Sequence, residues 1–459
     1  MDRLDETLPL CNGHCCEEPG DARTSQKTCS QKAATIPGDR MKGGFDGDCS
    51  QRRRRLVLHV DVRNTILVSD SATGDDVEQA LNSFLTSVTW GREEPRGWVW
   101  YSDRPSLHAP CPGVITYYKS RERELVRSPT DRVRLRCITG DFTGQPIGRR
   151  FRKHFETHLR LLEWKFTQSP DVIVNCGCDV IGTKLSSAHD VSATTKSTAI
   201  SIDRKLTIVS GEGRLYHYLL PSFIKMLYDL QADDRRFSVI LRTYGVDAPR
   251  VLDSIAHIAT GNHPLFPQKL HIDVNGKPGR IHRNIDGTIH CELPQTADGV
   301  DVPVVLETDA DIYRFMSDVE GICGFVDDFK FWQEHSYAHR DGKPLWIDLA
   351  DPDVHHIFFD DNIRVADSDS IVDVRFIEGG CSSCSRTVAR SLSIDEIALL
   401  ENVCVVQADL LESMSCVDYF INKVKQCEVN YSAWLRQHQT SKRHCHGAAS
   451  ALCESLRFH

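Results

Sequence analysis

The feature that most constrains this chain is a short acidic turn, Asp61-Val62-Arg63-Asn64-Thr65, that follows directly on the apolar run Leu56-Val57-Leu58-His59-Val60. An apolar run of this length, bounded by turn residues, reads as a buried strand. A buried strand that stops on a carboxylate places that charge at the carboxyl edge of a sheet, where open α/β folds hold their ligands. Two later stretches repeat the arrangement. Phe237-Ser238-Val239-Ile240-Leu241-Arg242 runs into Thr243-Tyr244-Gly245, and His356-Ile357-Phe358-Phe359 runs into Asp360-Asp361-Asn362. Two adjacent carboxylates at the end of a buried strand repel one another unless a cation or a cationic side chain lies beside them. A lysine in a turn, Gly342-Lys343-Pro344, falls between the second and third of these strands, and Lys330 in Asp327-Asp328-Phe329-Lys330 is a second source of the same charge.

In this order, the aspartate, the threonine, the lysine and the paired aspartates resemble the four signature motifs of the haloacid dehalogenase-like (HAD) hydrolase superfamily. That superfamily begins with a strand followed by D-x-D-x-T, then a strand ending in Thr or Ser, then a lysine, then a strand ending in acidic residues. Asp61 and Thr65 match the first motif, and Arg63 replaces its second aspartate. The resemblance implies an α/β fold: a three-layer α/β/α, Rossmann-like core with a parallel sheet and large cap insertions that choose the substrate. It also implies that Asp61 is a nucleophile that takes up a phosphoryl group as an aspartyl-phosphate, beside Thr65. Mg2+ would be held by Asp61, the backbone carbonyl of Arg63, and Asp360 or Asp361. Thr243 would donate to one phosphoryl oxygen, and Lys343 would neutralise another while restraining Asp61. The partner would be a phosphorylated small molecule or a phosphoprotein.

Arg63 is the departure that matters for function. In superfamily phosphatases the aspartate at this place protonates the leaving alcohol and later activates water, and arginine cannot exchange a proton near neutral pH. Losing a general acid and base typically costs about 10²- to 10⁴-fold in rate. One reading is a magnesium-dependent phosphohydrolase or phosphotransferase whose leaving group needs no proton or takes it from the cap. Another is a catalytically silent domain that binds metal and phosphate, with Arg63 pairing to the bound anion. A third is a zinc-binding regulatory protein built on cysteine and histidine, because Cys381-Ser382-Ser383-Cys384 has half-site spacing and His444, Cys445 and His446 follow. His59 shares a side with Asp61 in a regular strand and reads as a core histidine.

The rest of the sequence narrows the field. There is no G-x-x-x-x-G-K-[ST] loop and no G-x-G-x-x-G after a strand, so P-loop and dinucleotide-binding readings lack support. A net charge of -9 argues against a nucleic-acid partner. No run approaches the ~18 apolar residues of a membrane span, and the acidic start MDRLDETLPL lacks a secretory h-region. A cytoplasmic protein is expected, with Arg52-Arg53-Arg54-Arg55 as a possible nuclear-import signal. In that setting the 18 cysteines read as thiols.

Residues 1–55 carry only 7 large apolar side chains in their first 50 positions and are expected to be disordered. The core is expected over 56–440, with strands near 56–61, 237–243, 355–360, 371–377 and 402–407, and a flexible tail over 441–459. Insertions are expected at about 68–210 and 262–325, the first because 182 positions separate Asp61 from Thr243. Helical stripes are read over 75–87 and from Pro221 to Leu230, with further candidates from Arg149 to Lys165 and from Leu410 to Val424.

Overall fold

The computed structural model describes residues 53–69, 74–128, 130–165, 202–294, 296–297, 300–301, 303–364, 370–377 and 389–444. Its first part contains β1 (Arg55–Asp61), α1 (Val77–Ser87), β2 (Trp90–Glu94), β3 (Gly97–Trp100), α2 (Tyr117–Leu125), α3 (Asp131–Gly140) and α4 (Arg152–Leu162). The middle contains α5 (Pro221–Ala232), β4 (Phe237–Thr243), α6 (Ala248–His257), β5 (Gly279–Arg283), β6 (Ile289–Leu293), β7 (Val304–Leu306), α7 (Asp309–Asp318) and β8 (Gly321–Val326). The last part contains β9 (Lys343–Ile347), β10 (Val354–Asp360), β11 (Val372–Phe376), β12 (Arg390–Ser391), β13 (Val405–Gln407), α8 (Leu410–Ser415) and α9 (Tyr419–His444).

Among the described residues the largest sheet has eight strands in the order β7-β6-β5-β8-β4-β1-β10-β13. Every pairing from β5 through β13 is parallel, while β6 lies antiparallel to both β5 and β7. The central strand β1 has Leu56, Val57, Leu58 and Val60 all at 0% exposure, which requires cover on both faces of the sheet. Leu56, Leu58 and Val60 join Val239, Leu241, Ile357 and Phe359 in one apolar cluster, packed by α1, α5, α6 and the first half of α9. Val57 and Ile240 point to the opposite face, against α7 and Trp346. Phe358 on that face packs on β9 and β11.

Local sequence sets the helix ends. Asp76 caps α1 with a reciprocal capping box to Gln79, and Pro221 occupies the first turn of α5, where its missing N–H costs nothing.

Several expectations need correction. Val372–Phe376 is a strand but lies outside the large sheet, in a separate three-stranded sheet β9-β11-β12. Lys343 is not in a turn: it is the first residue of β9 and is 1% exposed. The second insertion contains β5, β6, β7 and most of β8, all belonging to the large sheet, so this region extends the core instead of standing apart from it. The closing helix is broken: α8 ends at Ser415, Cys416 is extended, and α9 starts at Tyr419. The segment 402–407 contributes only Val405–Gln407 as strand. Arg149 to Lys165 is a short 3-10 turn followed by α4, which ends at Leu162. The segment before Arg53, the Cys381–Cys384 spacing, Cys445 and His446 lie outside the described residues.

One buried ion pair joins neighbouring strands of the sheet. Arg242, within β4, and Asp327, directly after β8, meet with Nε–Oδ2 at 3.0 Å and Nη2–Oδ1 at 2.5 Å, and their side chains are 0% and 1% exposed. Removing one partner of a buried pair leaves the other charge uncompensated, at a cost of about 3–5 kcal/mol. Asp327→Ala is expected to lower the unfolding free energy by about that amount. Urea denaturation checks this, and a loss below about 1 kcal/mol would place the pair in a far wetter environment than the structure does.

Candidate active site

Parallel pairing places the ends of β4, β1 and β10 side by side. Asp61 is opposite Arg242 across one strand boundary, while Val60 is opposite Phe359 across the other, so Asp360 adjoins Asp61. Neighbouring strands lie about 4.8 Å apart, close enough for side chains on one face to touch. Asp61 and Asp360 share a face and converge on Lys343, whose Nζ lies 2.5 Å from Asp61 Oδ1 and 2.8 Å from Asp360 Oδ2. Asp61, Asp360 and Asp361 each bring a carboxylate oxygen within 4.8 Å of the others. Groups 299 positions apart in sequence thus meet at one sheet edge.

Around Asp61 the chain curls tightly. The N–H groups of Ile66 and Leu67 both donate to the Val62 carbonyl at 3.0 and 2.9 Å, the Asn64 N–H donates to the Leu67 carbonyl at 2.8 Å, and Asn64 adopts φ 56°. This curl brings the Thr65 hydroxyl back to donate to Asp61 Oδ2 at 3.3 Å. Asp360 Oδ1 accepts from the Asn362 N–H at 2.8 Å, and Asp361 Oδ1 accepts from the Asn362 amide at 3.0 Å.

The position of Lys343 is fixed from both sides. Arg242 Nη1 donates to the Pro344 carbonyl at 2.9 Å, and Arg283 donates to the Gly342 carbonyl at 3.0 and 2.6 Å while also pairing with Asp373 at 2.8 Å. The Tyr244 ring stands 5.1 Å from Nζ. Lys330, the other lysine considered, is 82% exposed and pairs with Glu334.

The electrostatics follow from burial. Desolvation pushes Asp61 up to about 7, opposed by Lys343 and reinforced by Asp360. Asp361 is raised well above the carboxylate range by burial, then by Asp360 and Asp61, with Arg63 and Lys343 opposing. Burial alone would lower Lys343, but Asp360 and Asp61 outweigh it and hold it as an ammonium. Three carboxylates face one buried ammonium, a deficit that protons or a cation must fill. The cluster is consistent with a metal-binding site, without specifying the ion.

Two expected residues behave differently from the rest. Thr243 ends β4 on the opposite face from Arg242, and its Oγ1 accepts from the Gly245 N–H at 2.9 Å, the turn role open to any hydroxyl at a strand end. Arg63 places a guanidinium nitrogen 3.5 Å from Asp75, and its side chain is 36% exposed. Tyr118 of α2 has its pKa raised by burial and by Glu122, with Arg132, Arg364 and Arg63 opposing. Arg132 is paired with Glu122 at 3.1 Å, and Arg364 donates to Asn362 at 3.2 Å.

His59 is a core histidine. Its Nε2 lies 3.1 Å from His356 Nδ1, and His356 Nε2 lies 3.0 Å from Ser317 Oγ. Burial, then the neighbouring His356 and Arg242, hold His59 well below its ordinary pKa.

Arg242, Arg283, Asp327, Asp373 and Tyr244 were not singled out by the sequence. For Arg242 a signal existed: a charge closing an apolar strand has to find a buried partner.

No protein family, curated protein or solved structure matches this chain. No helix among the described residues is long and apolar enough to cross a membrane.

The raised pKa of Asp61 sets a pH dependence. A carboxyl whose folded pKa exceeds its unfolded value of 3.8 favours folding below that value, and this contribution is lost as pH rises through about 7. A divalent cation bound here displaces the proton. Its stabilisation is therefore expected to be larger at pH 8 than at pH 5.5, read as the shift in Tm on adding Mg2+ or Mn2+. Equal shifts at both pH values would contradict binding at this cluster.

Proposed function

We propose that this chain is a magnesium-dependent phosphohydrolase or phosphotransferase of the HAD-like kind, acting through an aspartyl-phosphate on Asp61. The observation that carries this reading is the clustering of Asp61, Asp360 and Asp361 at the carboxyl edge of a parallel sheet, with the first two bonded to one buried lysine, Lys343. The donor set is all oxygen, which suits a hard cation such as Mg2+, and one divalent charge offsets what Lys343 leaves uncancelled. Asp61, Asp360 or Asp361, and the Arg63 carbonyl would hold the ion, which would neutralise phosphoryl charge.

Phosphoryl transfer needs positioning and charge cancellation more than covalent machinery. Asp61 Oδ forms a bond to phosphorus as the bond from phosphorus to the leaving oxygen breaks. Lys343 holds the attacking carboxylate, and the Thr243 hydroxyl, oriented by Gly245, donates to a phosphoryl oxygen. Water then attacks the phosphorus of the aspartyl-phosphate, releasing inorganic phosphate and restoring the Asp61 carboxylate. Arg63 gives no proton to the leaving group, so leaving oxygens of low basicity, as in aryl phosphates and phosphoanhydrides, fit the site better than simple alcohols. Arg63 and Arg364, which follow Asp61 and Asp361 closely in the chain, favour an anionic substrate.

Arg63 also favours a second reading, a silent domain that binds metal and phosphate without turnover. The zinc-regulatory reading rests on Cys381, Cys384, His444, Cys445 and His446. Of these only His444 falls within the described chain, in the last turn of α9.

The test is turnover of p-nitrophenyl phosphate. Hydrolysis is expected with Mg2+, to be abolished by chelation and by Asp61→Asn, and to exceed that of glycerol phosphate. Arg63→Asp is expected to raise turnover of the alkyl substrate by up to about 10²- to 10⁴-fold. Phosphate-analogue binding with no turnover in either the parent or Arg63→Asp would favour the silent domain.

A further inference from the structure

We propose a second metal site on the outer face of the β5–β6 hairpin, formed by His282, His290 and Glu292 and suited to a divalent transition-metal ion of the zinc type. The register of the hairpin makes these residues neighbours. His282 is directly opposite His290, and Arg280 is opposite Glu292. Strand alternation puts Ile281, Ile289, Cys291 and Leu293 into the apolar core on the inner face. A slip of one position would bury the histidines and expose that apolar set, so the core fixes the outward trio in place.

The geometry of the trio is that of a ligand set. The two imidazole rings stack with centroids 4.9 Å apart and planes 17° from parallel. His282 Nε2 lies 3.3 Å from Glu292 Oε2, is shut off from solvent, and has no hydrogen-bond partner. A tetrahedral zinc with arms of about 2.0–2.1 Å has ligand-to-ligand edges of about 3.3–3.4 Å, and the nitrogen–oxygen separation already matches one such edge. One donor atom from each of the three residues lies within 4.8 Å of the others, so small side-chain rotations close the remaining edges.

The chemistry selects the ion. Two imidazole nitrogens are borderline donors, and beside a single hard carboxylate they favour zinc and its neighbours over magnesium. Three protein ligands leave a fourth position for water. Glu292 is 38% exposed, so the carboxylate side of the trio opens to solvent. An ion here would clamp the two strands of the hairpin whose inner face carries Arg283, the residue that holds the Gly342 carbonyl beside Lys343. The rival is a plain polar face in which Glu292 serves Arg280.

The site is independent of the Asp61 centre, so its test stands whether or not phosphoryl transfer is correct. Zn2+ is titrated calorimetrically into the full chain held in saturating Mg2+, which occupies oxygen-only sites, and the result is compared with His282→Asn/His290→Asn. The cysteines are common to both proteins and cancel in the difference. The parent is expected to bind one more equivalent of Zn2+ than the double variant. Co2+ in that site is expected to give visible d–d absorption without a thiolate charge-transfer band. Glu292→Gln, which keeps the shape of the hairpin, is expected to weaken this binding by at least roughly tenfold. Equal stoichiometry in the parent and the double variant, or unchanged affinity in Glu292→Gln, would overturn the proposal.

Discussion

The ammonium of Lys343, enclosed among carboxylates at the end of β1 and β10, is the interaction on which the site depends. A charge removed from water is costly unless it is paired and hydrogen-bonded. Lys343 meets that condition through Asp61 and Asp360. The lysine is also held through its backbone: Arg242 and Arg283 grip the carbonyls on either side of it, and these arginines are themselves neutralised by Asp327 and Asp373. The site is therefore supported by a second layer of buried ion pairs from four separate stretches of chain. Such a network fixes the position of the buried charges before any ligand arrives.

The same network explains why the sheet edge tolerates so much acid. Asp61, Asp360 and Asp361 would repel one another without compensation, and burial raises both Asp61 and Asp361 toward their protonated forms. A divalent cation bound at the cluster would take the place of those protons. Arg63 sits two residues beyond Asp61, reaches toward Asp75, and is 36% exposed.

The central strands were legible because each is an apolar run closed by a polar residue, and the ends of β1, β4 and β10 fall at Asp61, Thr243 and Asp360 as the residues suggested. β8 was not legible. Gly321-Ile322-Cys323-Gly324-Phe325-Val326 carries two glycines, which lower strand propensity, and its burial is imposed by pairing with β4 rather than by its own composition. Periodicity also says nothing about which sheet a strand joins. Val372–Phe376 looked like a core strand and instead pairs with the lysine strand. Gly342-Lys343-Pro344 reads as a turn because glycine and proline flank the lysine, yet parallel pairing with the distant Val372–Phe376 makes Lys343 and Pro344 the start of a strand. Partners separated by 85 and 90 positions, Arg242 with Asp327 and Arg283 with Asp373, leave no local pattern to read.

The central claim is that Asp61, Asp360 and Asp361 hold one divalent cation beside Lys343. Anomalous diffraction from crystals soaked in Mn2+ tests it most directly. The account requires a single strong peak at about 2.0–2.3 Å from an Asp61 oxygen and from an oxygen of Asp360 or Asp361. Manganese bound elsewhere, with Asp61 still engaged only by Lys343 and Thr65, would contradict it.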